Sequence, residues 1–129
     1  MSTQIINPAN PHDPGFDNLT SLAWGNRSLL TDYLQVGLAG APLKQLLSAA
    51  ASWDPASIAS GASTSTTVTV TGALVGNPVV VGIYPAVPAG VFAVGHVTAA
   101  DTVTVTLANL SGSTYNHPAG SVRAAVLQF

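Results

Sequence analysis

The chain has little with which to do acid–base or nucleophilic chemistry. Its titratable groups near neutrality are His12, His96 and His117, and its carboxylates are Asp13, Asp17, Asp32, Asp54 and Asp101; glutamate and cysteine are absent. A Ser-His-Asp arrangement could be assembled from His96, Asp101 and one of many serines. In a serine-rich chain that combination carries little information, and His96 reads more simply as a satisfied or surface histidine. Asp101, just before Thr102, suits a turn, where a short acidic side chain caps its own backbone. His96, His117 and Asp101 are acceptable metal-ligand types but lack a recognisable ligand spacing. Gly37-Leu38-Ala39-Gly40 precedes Lys44 without the preceding strand or the spacing of a phosphate-binding loop. Convergent chemistry of the kind catalysis needs is therefore not expected, and neither a cofactor nor a metal is expected. Trp24, Trp53, Tyr33, Tyr84 and Tyr115 could instead stack on sugars. Trp53, beside Asp54-Pro55, reads better as a packing anchor at a junction. The loop Tyr115-Asn116-His117-Pro118 reads as a polar aromatic tip, suited to ligand contact or to none.

The elements that would carry these residues change character along the chain. Pro8, Pro11 and Pro14, separated by Asn, Asp and Gly, fit neither helix nor central strand, because each proline lacks a donor. The start therefore reads as an extended arm, in which Ile5, Ile6, Phe16, Leu19, Leu22 and Trp24 are apolar side chains in want of a surface. Leu29, Leu30, Tyr33 and Leu34 suit one or two helical turns before Gly37. Over Ala41–Ser52 the spacing of Leu43, Leu46, Leu47 and Ala50, with Pro42 at a first-turn position and Asp54-Pro55 as a stop, predicts a short helix.

Beyond Ile58 the period becomes two. Thr66–Thr71 and Thr102–Leu107 alternate Thr with Val or Leu, Val79–Tyr84 is a mostly apolar strand, Val91–Ala99 is a strand interrupted by Gly95, and Ser121–Phe129 closes the chain. Five to seven short strands separated by Gly, Pro and Asn turns predict an all-β fold, an antiparallel β-sandwich or jelly roll with an extended N-terminal arm and one short helix. The division expected is an arm with short helical segments over 1–52 and a sandwich over 53–129.

Only 6% of the residues are charged, with three Lys or Arg against five Asp, where an ordinary soluble domain has about a quarter. Three cations cannot supply the phosphate contacts of a nucleic-acid binder, so no nucleic-acid partner is expected. No apolar run approaches the ~20 residues that span a bilayer, and the first thirty residues lack a secretory pattern, so neither a membrane partner nor export is expected. Asn18-Leu19-Thr20, Asn26-Arg27-Ser28 and Asn109-Leu110-Ser111 match the glycosylation acceptor pattern but read as chance in a Ser/Thr-rich chain. Strong β-formers without the Lys, Glu or Pro that normally guard sheet edges imply edges that are paired or covered, hence a symmetric oligomer.

The stretch Trp53-Asp54-Pro55-Ala56-Ser57-Ile58-Ala59-Ser60-Gly61-Ala62-Ser63-Thr64-Ser65-Thr66-Thr67-Val68-Thr69-Val70-Thr71-Gly72-Ala73, followed by Val97-Thr98-Ala99-Ala100-Asp101-Thr102-Val103-Thr104-Val105, resembles small structural proteins of tailed bacteriophages. The resemblance is greatest to capsid decoration (cement) proteins, and similar modules occur in head and tail fibres. It covers about residues 53–129 and rests on a pattern, without a catalytic signature. It implies a non-enzymatic virion protein made in the host bacterial cytoplasm. Such a protein would be a homotrimer on the outside of the capsid, with the major capsid protein as its partner. On that expectation Ile5, Ile6, Phe16 and Trp24 of the arm are the capsid-binding residues, since an extended peptide can lay alternate side chains into pockets of a lattice. The alternative is a fibre or receptor-binding adhesin that recognises host surface glycans through exposed aromatics.

Overall fold

A computed structural model of the chain describes residues 39–129. These residues form six strands and, among them, no helix: β1 (Gln45–Trp53), β2 (Ser63–Thr69), β3 (Val79–Tyr84), β4 (Val91–Ala99), β5 (Thr102–Asn109) and β6 (Gly120–Gln128). The strands make two antiparallel sheets of three, ordered β1-β6-β3 and β2-β5-β4. All-β architecture with strands near the positions that the alternation predicts is thus what the described residues adopt.

The helix expected over Ala41–Ser52 is instead strand β1, paired in register with β6 from Gln45↔Gln128 to Trp53↔Gly120. The leucine spacing that suggested a helix coexists with a period-two pattern. Leu47, Ala49, Ala51 and Trp53 pack against the core, while Leu46, Ser48, Ala50 and Ser52 are exposed. A three-turn helix has little stability of its own, whereas nine residues paired to a central strand gain a complete hydrogen-bond ladder. The residues assigned to the arm from Gln45 onward are therefore part of a sheet, and the helical turns expected near Leu29–Leu34 lie outside the described residues.

Two core clusters join the sheets. Val68, Val97, Val103 and Val105 from β2, β4 and β5 meet Val122, Ala124 and Val126 from β6, and Leu107 is fully buried beside Ile58 and Val91. Burial of each such Val or Leu contributes roughly 1.5–3 kcal/mol. Each central strand carries this alternation most clearly. In β5, Val103, Val105, Leu107 and Asn109 point inward and are buried, and the intervening Thr102, Thr104, Thr106 and Ala108 are less buried.

At Gly95 of β4 the side chains of β3 pack directly against the backbone. A Cβ there would lie 2.6 Å from Cγ2 of Val81 and 3.0 Å from Cγ1 of Val79, two stiff β-branched side chains. This is the physical reason for the glycine that interrupts the β4 pattern: it admits β3 against β4.

Candidate functional site

The candidate catalytic and metal residues are held apart by the fold. His96 is exposed on the outer side of β4, opposite Thr104. His117 is buried, and its Nδ1 shares a 2.9 Å hydrogen bond with the Tyr115 hydroxyl. Asp101 occupies the β4–β5 turn with φ 61°, a left-handed conformation that Asp tolerates better than most residues. Its carboxylate accepts the Gly72 N–H at 2.7 Å. Its own N–H donates to the Ala73 carbonyl, and its carbonyl accepts from the Val70 N–H. Asp101 thus fastens the turn after β2 to the turn before β5. Among the described residues no cluster of three or more His, Cys, Asp or Glu could hold a metal ion.

The loop expected as a polar aromatic tip is tied inward at Tyr115 and His117, with Asn116 and Pro118 exposed. Tyr115 and Ile58 exchange backbone hydrogen bonds of 2.9 and 2.8 Å, the Ser57 hydroxyl donates to the Asn116 side-chain oxygen, and His117 is 2% exposed. Trp53 packs against both core clusters, as its position beside Asp54-Pro55 suggests. Of the aromatics in the described residues, Tyr84 stands farthest into solvent, at 73% exposure. Ile5, Ile6, Phe16 and Trp24 lie outside the described residues.

Asn109 is a structural residue that the sequence reading overlooked. Its side chain is fully buried and uses both ends: Nδ2 donates to the carbonyls of Ile58 (2.8 Å) and Ser113 (2.7 Å), while Oδ1 accepts from the N–H and hydroxyl of Ser111. It fastens the 54–62 segment and the 110–115 segment to the end of β5. The amide is enclosed and fully engaged, so the acceptor pattern Asn109-Leu110-Ser111 is not accessible for glycosylation in the folded chain. The available signal was parity: Asn109 continues the inward series Val103, Val105, Leu107, where a polar residue must find partners.

What the described residues offer a partner is surface. On the outer side of β2-β5-β4, the rows Ser65–Thr106–Val94 and Thr67–Thr104–His96 make an array of hydroxyls and methyls, with exposed Phe92 beside Ala108. On the outer side of β1-β6-β3, exposed Leu46 pairs with Leu127, Ser48 with Ala125 and Val80, Ala50 with Arg123 and Gly82, and Ser52 with Ser121 and Tyr84. Arg123 is the one charged side chain on either face. The turn Leu74-Val75-Gly76-Asn77 adds two exposed apolar residues. It is braced by the Gln128 amide, which donates to the Gly72 carbonyl and the Asn77 side chain. The described residues thus present two nearly uncharged faces, one rich in hydroxyls and one carrying exposed apolar side chains. No family model matches the chain, and no curated protein or solved structure matches it.

Proposed function

We propose that the chain is a structural protein of a tailed-bacteriophage virion: a capsid decoration protein that binds as a homotrimer to the outside of the major capsid protein lattice and stabilises it. The observation that carries this reading is the pair of outward sheet faces with a single charged side chain, Arg123, between them. The sequence resemblance over residues 53–129 agrees with it. A sandwich is the form of fold that goes with this reading, its two sheets sharing the Val-rich core. A jelly roll has eight strands, and the described residues form six.

In this account the protein works by mass action: it binds assembled lattice and not separated capsid subunits, so its binding free energy adds to that of the shell. No catalytic group, cofactor or nucleic-acid contact takes part.

Cosedimentation with undecorated capsids tests the proposal. The protein is expected to pellet with the shells and to raise the temperature at which they open. Because attachment rests on apolar burial and main-chain hydrogen bonds, the dissociation constant should change less than about threefold between low and high salt, where the Debye length shrinks from ~30 Å to ~3 Å. A loss of tenfold or more at high salt would show an ionic interface and contradict the account, and failure to pellet at any salt would remove the decoration role.

A further inference from the structure

Four charged side chains occur in the described residues: Lys44, Asp54, Asp101 and Arg123. Two have partners of their own. The Lys44 ammonium donates to the Phe129 carbonyl at 3.1 Å, and the Asp101 carboxylate takes the Gly72 N–H. The remaining two are of opposite sign and, among the described residues, without an ionic partner. Arg123 reaches only the Ser48 hydroxyl, at 3.4 Å, from the middle of the outward β1-β6-β3 face. Asp54 is exposed and directly follows Trp53 at the end of β1.

The face around Arg123 has the make-up of an interface core. Leu46, Val80, Tyr84 and Phe129 are 64%, 61%, 73% and 54% exposed. Leu127 lies between Leu46 and Phe129 on the same side of β6. Side chains of this size expose on the order of 100 Å² each, so the patch offers roughly 400–500 Å² of apolar surface. That equals the apolar share of a standard interface, about 800 Å² per partner at some 60% apolar. The guanidinium is flanked in register by Ala50 and Gly82. These small neighbours leave its planar fork open to a carboxylate, the group it binds best. Covering this face with an uncharged surface would bury a cation that has no ionic partner among the described residues, which is strongly unfavourable. A second copy of the chain brings both apolar area and a carboxylate.

We propose that the outward face of β1-β6-β3 is the contact between copies of this chain, with Arg123 of one copy paired to Asp54 of the next. This deepens the oligomer reading given above and rests on it. The hydroxyl-rich β2-β5-β4 face then stays outside the subunit contact.

The test compares wild type with Arg123→Asp, Asp54→Arg, the double exchange and Val80→Asp, all at exposed positions. Circular dichroism checks that each is folded, and light scattering measures mass across a dilution series. Each single variant should raise the dissociation constant of the oligomer at least tenfold, as loss or reversal of a close charge pair or intrusion of a charge into an apolar patch does. The double exchange should return it to within about threefold of wild type. Wild-type assembly with single variants of unchanged mass, or a double exchange that does not recover, overturns this face as the contact and leaves the oligomer itself standing. A wild-type monomer at tens of micromolar overturns the oligomer reading and this proposal together. Capsid cosedimentation reports separately on the decoration role.

Discussion

Asn109→Ala is expected to lower the stability of the fold by about 3 kcal/mol, the largest effect of any single polar substitution in the described residues. Four hydrogen bonds disappear with the side chain, and their partners do not suffer equally. The Ile58 carbonyl keeps the Tyr115 N–H and the Ser113 carbonyl keeps the Ser111 hydroxyl, whereas the Ser111 N–H loses its Asn109 acceptor. Each hydrogen bond lost contributes about 0.5–1.5 kcal/mol net, and the space vacated by the buried amide adds to that. Asn109→Asp should be at least as damaging at neutral pH, because it keeps the acceptors toward Ser111 but turns a buried carboxylate oxygen toward two carbonyls. Equilibrium denaturation with urea measures the change, and a loss below about 1 kcal/mol for both variants would mean that the two loops hold without this residue. Asn109→Ala should also make the 54–62 and 110–115 segments exchange amide protons faster than the strands do.

Removal of residues 1–24 is expected to leave a folded oligomer that no longer holds the capsid. The six strands of the described residues lie between Gln45 and Gln128, so the truncation leaves each of them whole. What it deletes is the proline-punctuated stretch with Ile5, Ile6, Phe16 and Trp24. Proline dihedrals fixed in advance reduce the cost of ordering an extended peptide on a partner, and large aromatic anchors dominate the energetics of such contacts. In the full chain, Phe16→Ala with Trp24→Ala should weaken capsid binding on the order of 100-fold or more, beyond any pair of Ser or Thr substitutions on the sheet faces. A truncated protein that decorates as tightly as the intact one would assign the clamp to the sheets and the arm to its own subunit.

Strands whose two faces differ in chemistry were readable from the residues alone. In β2 and β5 every outward position beside a core Val or Leu is Thr, Ser or Ala, so alternation identified both the element and its buried side. Val79–Tyr84 and Val91–Ala99 stood out because Gly, Pro and Asn bracket them. β1 escaped for the opposite reason: Ser48-Ala49-Ala50-Ala51-Ser52 is small on both faces, and two leucine pairs at helical spacing outweighed it. Only the pairing with β6, a contact across some eighty residues of chain, selects the strand. The loop around Tyr115 misled in a similar way, since its polar composition suggested a tip and its burial depends on Ile58 and Asn109. No pattern in the sequence could reveal that Arg123 and Asp54 would have no ionic partner among the described residues, because that depends on which partners the fold gives to Lys44 and Asp101.

Counting copies of the chain per virion, by quantitative mass spectrometry against the major capsid protein in purified particles, decides whether this is a shell component. A decoration protein set as trimers over the lattice should be present in hundreds of copies, in a fixed ratio to the capsid subunit. A count of a few or a few tens would contradict the decoration role and place the chain in a fibre.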